Sequence, residues 1–104
     1  MLPIGIDIAM PIGSMVRASG GGTVLQTGLD PEYGIYVLLQ HPEGYQTMYG
    51  HLSRSTVATG TQVESGQVIG LSGNTGRSSA PHLHFEIRQG SRTLDPLTMV
   101  KEGS

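Results

Sequence analysis

Two histidines stand two residues apart near the carboxyl end of the chain, within residues 81–86. Side chains alternate between the two faces of a β-strand, so His82, His84 and Glu86 share one face while the residues between them take the other. Imidazole nitrogens on one face can bind a metal or transfer protons near neutral pH. The spacing therefore predicts a strand that carries chemistry, and it disfavours a helix, where paired metal-binding histidines stand about four residues apart.

The composition is typical of a small, turn-rich β protein. The chain has 104 residues, a length that suits one domain, with 16 glycines, one phenylalanine and no tryptophan. Glycine readily adopts the positive φ angles of tight turns, so this content predicts many turns. With 37% hydrophobic residues and a net charge of -2, the chain lacks the signature of disorder. We expect a single domain over residues 1–104, cut from a longer protein.

The composition also argues against several classes of function. The six basic residues are scattered, which disfavours nucleic acid as a partner. There is no cysteine, so disulfides and cysteine-zinc sites are excluded. No apolar run approaches the ~18 residues of a membrane span, so none is predicted in this chain.

Short apolar segments recur between glycines and turn-forming residues, a spacing that indicates β-strands. The predicted strands are residues 4–9, 14–18, 22–28, 34–41, 45–52, 67–72 and 82–89. The strand at 34–41 is apolar on both faces, which predicts burial on both sides. The sequence Pro42-Glu43-Gly44 predicts a hairpin turn after it. Only residues 96–100 could form a short helical turn.

Two further histidines flank this hairpin. Alternation places His51 on the same face as Thr47 and Tyr49, near the end of its strand. His41 directly precedes the turn, so we expect it to pack against the turn, outside any catalytic site.

The stretch from Val57 to Gly70 repeats apolar residues and glycines at steps of three. This pattern resembles a segment of lipoyl and biotinyl carrier domains and of several β-sandwich hydrolases. A carrier needs a lysine at an exposed hairpin tip, and the only lysine is Lys101, close to the carboxyl end. We therefore reject a carrier function and interpret the stretch as structural.

Three segments in order resemble the motifs of the lysostaphin-like, or LytM-type, zinc metallopeptidases, which cut peptide cross-links in bacterial peptidoglycan. They are residues 5–9 with Pro11 and Gly13, residues 45–53, and residues 73–86; the closing 95–97 also fits. The resemblance covers the chain from about Pro3 to Leu97. It implies an all-β, β-sandwich-like fold of the duplicated-hybrid-motif type, with a twisted antiparallel sheet and an open groove.

Transferred position by position, the resemblance makes Asp7 and His84 zinc ligands. It makes His51 and His82 the pair that handles the attacking water and the developing oxyanion. A catalytic zinc usually takes three protein ligands and leaves one position to water, whose pKa falls to about 7. The floor of the implied groove would then carry all four side chains.

Three further residues are candidates for contact with substrate. A tyrosine on the rim could contact a glycine-rich peptide, and Tyr33 and Tyr45 are candidates for that role. The resemblance places Arg77 at the border of the groove. The implied partners are peptidoglycan peptides and, for a regulatory member, other cell-wall hydrolases. The implied location is extracytoplasmic, in the periplasm or cell wall.

The sequence departs from the family at Pro3, where the first motif has a histidine four residues before its aspartate. Proline offers no side-chain donor, so we expect zinc to bind weakly or not at all if this proline is native. Three explanations stay open. The domain is a degenerate member that binds peptidoglycan or regulates cell-wall hydrolases; the start of the chain is altered; or another donor completes the site. Candidate donors are His82, His41, a water and the Met1 amine. The sequence thus leaves open whether the chain is an enzyme.

Overall fold

The computed structural model describes residues 5–89 and 92–94 of the chain. These residues form nine β-strands: β1 (Gly5–Ala9), β2 (Met15–Arg17), β3 (Gly22–Asp30), β4 (Gly34–Gln40), β5 (Tyr45–Ser55), β6 (Gln62–Val63), β7 (Val68–Ser72), β8 (His82–Gln89) and β9 (Arg92–Leu94). The all-β fold expected from the sequence is confirmed. The sequence pattern predicts neither β6 nor β9, and the predicted helical turn at 96–100 lies outside the described residues. No helix in the described part is long and apolar enough to cross a membrane.

All strand pairs are antiparallel, and the main strand order is β1-β8-β5-β4-β3-β6. The first half of β5 pairs with β4 and β8, whereas its second half pairs with β7, which in turn pairs with β2. β9 continues the sheet beside the end of β8. The strand β5 therefore joins the main sheet to the smaller β2–β7 pair.

The hydrophobic core lies between the main sheet and the β2–β7 pair. Its buried members come from seven strands and the residue after β2: Val16, Ala18, Val24, Val37, Leu39, Tyr49, Leu52, Val63, Ile69 and Leu83. On β4, Leu38 faces away from this core and is nevertheless only 8% exposed. The prediction that this strand is buried on both sides is therefore confirmed.

The hairpin between β4 and β5 turns at Pro42–Gly44, as the sequence predicted. Glu43 and Gly44 both have positive φ, 68° and 85°, a combination that suits a tight hairpin. The His41 ring packs beside the hairpin strands: its Nδ1 is 2.8 Å from the Gly21 carbonyl oxygen and its Nε2 is 2.5 Å from Thr47 Oγ1. The ring therefore contacts the start of β3 and β5, and its role in packing the turn itself stays a prediction.

The middle of β5 contains a bulge at His51. Two residues of β5, Gly50 and His51, oppose a single residue of β4, and His51 has a φ of 61°. This extra residue reverses the alternation of side chains along the strand. Tyr49 packs in the core against Phe85, but His51 turns to the other face of the sheet. The prediction that His51 shares the face of Tyr49 near a strand end is therefore wrong.

Candidate functional site

The four residues expected to carry chemistry lie together in an open groove of about 270 Å³. β1 contributes Asp7, β5 contributes His51, and β8 contributes His82 and His84. The rim is formed by loop and turn residues: Glu32, Tyr33, Arg77, Ser78 and Ser79. Residues distant in sequence therefore converge on one surface.

The pairing of β1 with β8 sets the position of Asp7, because Asp7 lies directly opposite His84 in the ladder. Its Oδ1 is 2.7 Å from His84 Nδ1 and 3.5 Å from His82 Nε2. The Asp7 side chain is 62% exposed, against 19% for His82 and 18% for His84. The carboxylate thus stands at the open side of the groove, above the two imidazoles.

Backbone carbonyls orient the two histidines expected to handle protons. His51 Nδ1 is 2.7 Å from the Thr75 carbonyl oxygen, and His82 Nδ1 is 2.7 Å from that of Ala80. A carbonyl oxygen only accepts hydrogen bonds, so in the neutral rings the proton sits on Nδ1 and a lone pair remains on Nε2. The two rings lie 4.6 Å apart. Both can therefore accept a proton from a water in the groove.

His84 is held from below by Glu86, whose side chain is fully buried. Glu86 accepts hydrogen bonds from His84 Nε2 at 2.8 Å, from the Tyr33 hydroxyl at 3.1 Å and from Arg88 Nε at 2.9 Å. The bond to Glu86 raises the pKa of His84; burial opposes this rise and the bond to Asp7 adds to it. Burial raises the pKa of Glu86, but the bonds from His84 and Arg88 outweigh it and lower the pKa overall.

The glycine that begins β1 permits this close packing. A Cβ on Gly5 would lie 2.8 Å from Glu86 Cγ, His84 Cε1 and the Phe85 carbonyl oxygen. Such distances are shorter than ordinary carbon contacts. The absence of a side chain at position 5 therefore lets β1 approach β8 where Asp7 meets His84.

Tyr33 and Arg77, two of the expected substrate contacts, line this groove. The Tyr33 ring stacks on His84, with centroids 5.6 Å apart and planes 22° from parallel, while its hydroxyl donates to Glu86. Arg77 is exposed, and its backbone N–H donates to the Glu32 carbonyl oxygen at 2.9 Å. Tyr33 therefore supports the imidazole as well as bordering the groove.

Tyr45, the third expected substrate contact, does not lie in the groove. It lines a separate cavity of about 580 Å³, which includes His41, Thr47 and Ile87. Thr47 faces the core side of β5, where its hydroxyl donates to the Tyr49 hydroxyl at 2.9 Å. Tyr45 is therefore remote from the predicted reaction centre.

The donor atoms present do not form a complete zinc site. Asp7 and His84 Nδ1 are two protein donors, whereas a catalytic zinc takes about three. Glu86 bonds the opposite nitrogen of His84, so it suits an orienting role instead of a third ligand. Within residues 5–89 and 92–94 no group of three or more histidine, cysteine or acidic side chains has an arrangement that could hold a metal ion.

The structure also distinguishes between the side chains that the sequence suggested as a third zinc ligand. His82 Nε2 faces the same space as the two donors, 3.5 Å from Asp7 Oδ1. His41 lies in the separate cavity, and both its ring nitrogens have hydrogen-bond partners. His41 is therefore too far from the groove to be the third donor. His82 lies beside Asp7 and His84, but in this arrangement the three side chains do not form a metal-binding group. Pro3 and Met1 lie outside the described residues.

Glu86 and Arg88 also belong to this site, and neither was among the residues expected from the sequence to act there. The signal was present, because the alternation that pairs His82 with His84 continues through Glu86 to Arg88 on the same face. Nothing in the sequence indicated that the backbone carbonyl groups of Thr75 and Ala80 would hydrogen-bond His51 and His82. Backbone atoms carry no residue-specific pattern, so their role depends on the loop conformation.

Comparisons with known proteins agree with this architecture. The model of peptidase family M23 matches residues 3–96. The peptidoglycan DD-endopeptidase ShyA of Vibrio cholerae is 53% identical over 83 residues, which are 80% of this chain and 19% of ShyA. The DD-carboxypeptidase/endopeptidase Mpg of Neisseria meningitidis is 43% identical over 99 residues, 95% of this chain and 23% of Mpg. The chain thus spans about a fifth of the length of these relatives.

Solved structures show the same fold. The catalytic domain of lysostaphin from Staphylococcus simulans has a TM-score of 0.90 at 37% identity, covering 93% of this chain and 77% of that domain. A zinc-containing peptidase from Vibrio cholerae has a TM-score of 0.85 at 42% identity, covering 88% of this chain and 28% of that one. The family match over almost the whole chain and the shared fold both show that the protein belongs to peptidase family M23, the lysostaphin-like or LytM-type metallopeptidases.

Proposed function

We propose that the groove acts on peptide cross-links of bacterial peptidoglycan as a metallopeptidase domain, and that zinc occupancy limits hydrolysis in this chain. The observation that carries this proposal is the convergence of Asp7, His51, His82 and His84 in one open groove. Relatives named as peptidoglycan endopeptidases support the choice of substrate. An extracytoplasmic location follows from that substrate.

The groove residues suit proton transfer during hydrolysis of a peptide bond. The lone pairs on Nε2 of His51 and His82 can accept a proton from water, and the protonated rings can then donate to an oxyanion or to the leaving amine. The carbonyls of Thr75 and Ala80 hold both rings in the required tautomer. These roles would need no covalent intermediate.

A second candidate function is a non-catalytic module that binds peptidoglycan peptides or regulates cell-wall hydrolases. The specific observation in its favour is the donor count, because Asp7 and His84 give two donors and position 3 is proline. Such a module would use the same groove for recognition alone.

Zinc affinity and cleavage separate the two candidates. We expect Pro3→His to raise zinc affinity by about 100-fold or more, since it restores a ligand to a site whose orienting contacts are intact. Zinc retained after desalting would be measured for wild type and Pro3→His, alongside release of peptides from purified peptidoglycan.

The matched control is the double variant Pro3→His with His84→Ala. It should lose both zinc and cleavage, and cleavage retained there would show that the metal assignment is wrong. Unchanged zinc affinity in Pro3→His would indicate that the site no longer binds metal, which favours the non-catalytic module. A full equivalent of zinc in wild type would mean that another donor, such as His82, completes the site.

A further inference from the structure

A side-chain hydroxyl lies between two paired strands next to the bulge in β5. It belongs to Thr75, a half-buried residue in the loop between β7 and β8. Its Oγ1 accepts the backbone N–H of Ile35 on β4 at 3.0 Å and donates to the carbonyl oxygen of Leu52 on β5 at 2.5 Å. Ile35 and Leu52 are the opposed pair at which the register of these strands shifts. The hydroxyl therefore bridges β4 and β5 where the bulge disturbs their ladder.

The backbone groups at the bulge are buried and find partners outside the ladder. His51 and Leu52 are 6% and 0% exposed. The His51 N–H donates to the Tyr33 carbonyl oxygen at 2.6 Å, and the Leu52 carbonyl oxygen accepts the Thr75 hydroxyl. An unpaired buried backbone group is costly, so both contacts stabilise the bulge.

The backbone of Thr75 is held as closely as its side chain. Gly34, which has a φ of 68°, packs directly on this residue. A Cβ on Gly34 would overlap both Oγ1 and the carbonyl carbon of Thr75. With the side chain bonded to two strands and the backbone packed under Gly34, the Thr75 carbonyl has a fixed direction, and its oxygen lies 2.7 Å from His51 Nδ1.

This carbonyl decides which nitrogen of His51 carries the proton. A neutral imidazole has one N–H, which can be on either nitrogen. The Thr75 carbonyl oxygen is the one hydrogen-bond partner of the His51 ring within residues 5–89 and 92–94. Because a carbonyl oxygen only accepts, this contact favours the Nδ1–H tautomer and leaves the lone pair on Nε2.

His82 is oriented in a different way. Its Nδ1 lies 2.7 Å from the Ala80 carbonyl oxygen and 3.2 Å from Ser78 Oγ, both within the loop that precedes β8. These contacts involve neither β4 nor β5. The orientation of His51 therefore depends on Thr75, whereas that of His82 does not.

We propose that Thr75 is a positioning residue for His51. Its hydroxyl ties the loop to β4 and β5, and this tie holds the Thr75 carbonyl against Nδ1, so that Nε2 keeps the lone pair that accepts a proton from water. Thr75 acts through the imidazole and contacts no reacting group. The use of that lone pair in hydrolysis rests on the proposed function, but the tautomer does not.

Nitrogen NMR spectra of the imidazole side chains of the full chain test this proposal. At about pH 8.5, well above the ordinary histidine pKa of about 6.5, they report the tautomer of each neutral ring. Wild type should show the His51 proton on Nδ1. Thr75→Val keeps the branched shape but removes the hydroxyl, so the ratio of Nδ1–H to Nε2–H at His51 should fall about tenfold, the usual effect of one hydrogen bond. Thr75→Ser retains the hydroxyl and should keep the wild-type ratio.

Two controls separate positioning from general support of the fold. Ser72→Ala removes a fully buried hydroxyl that also bridges two backbone groups, the Ser14 N–H at 3.0 Å and the Pro11 carbonyl oxygen at 2.8 Å. It should leave the His51 ratio unchanged. The second control is His82, whose tautomer should be the same in every variant.

Four results would overturn the proposal. They are a wild-type His51 protonated on Nε2, an unchanged ratio in Thr75→Val, a loss in Thr75→Ser equal to that in Thr75→Val, and a matching change in His82 or in Ser72→Ala. If Thr75→Val does not fold, Thr75→Cys replaces it, with the same shift expected because a thiol is a weak hydrogen-bonding group. The spectra need neither zinc nor substrate, so absence of cleavage in Pro3→His would count against the proposed function alone.

Discussion

At the scale of single residues, His84 is the side chain on which the site depends. Carboxylates contact both of its nitrogens, Asp7 from the open side and Glu86 from the interior. Burial of a carboxylate is costly unless hydrogen bonds and opposite charge compensate it, and here Tyr33, His84 and Arg88 all donate to Glu86. The network orients the ring before any ligand binds.

Gly5→Ala tests how tightly β1 must approach this network. The new methyl group would lie 2.8 Å from Glu86 Cγ and His84 Cε1, so we expect a loss of about 1–3 kcal/mol in the free energy of unfolding, measured in urea. Gly21→Ala is the control, because its nearest neighbour is an ordinary 3.6 Å away. Equal stabilities of the two variants would contradict the packing argument.

At the scale of elements, the bulge in β5 delivers His51 to the groove. A non-glycine residue with φ of 61° carries strain, so the position tolerates glycine better than alanine. The strain is compatible with function, because this conformation lets the His51 imidazole hydrogen-bond to the Thr75 carbonyl oxygen and lie next to the His82 ring.

The pair His51→Gly and His51→Ala tests this interpretation. Both variants lose the imidazole, but we expect the glycine variant to be more stable by about 1 kcal/mol in thermal or urea unfolding. The order should reverse at Gln46, a regular position of the same strand, where glycine costs about 0.5–1 kcal/mol relative to alanine. A more stable alanine variant at position 51 would argue against the bulge.

At the scale of the whole molecule, the site joins distant parts of the chain. Asp7 and His84 are 77 positions apart and meet only when β1 pairs with β8. A ligand that needs both residues binds the folded state alone, so its binding free energy adds to stability.

Zinc should therefore raise the melting temperature of Pro3→His far more than that of wild type. At a zinc concentration 100 times the Kd, the linkage gives about 2.7 kcal/mol, or roughly 10 °C for a domain of this size. Differential scanning calorimetry with and without zinc would measure the shift, with Pro3→Ala as the control for loss of the proline. Equal shifts in all three proteins would show that zinc binds elsewhere.

The sequence by itself determined the local features of this protein. Most strands and the Pro42–Gly44 turn follow from alternation and turn chemistry, which act between neighbouring residues. The shared face of His82 and His84 follows in the same way, because a regular strand has a period of two. The order of motifs was sufficient to identify the family.

Only the tertiary structure decided the arrangements that depend on partners distant in sequence. The bulge exists because two residues of β5 oppose one of β4, and it moves His51 to the groove. The fold also places Tyr45 in a separate cavity and surrounds Glu86 with donors from Tyr33, His84 and Arg88. A period-two pattern indicates which face each residue of a regular strand takes, but which strands pair, and where a bulge interrupts the period, depends on contacts across the sheet.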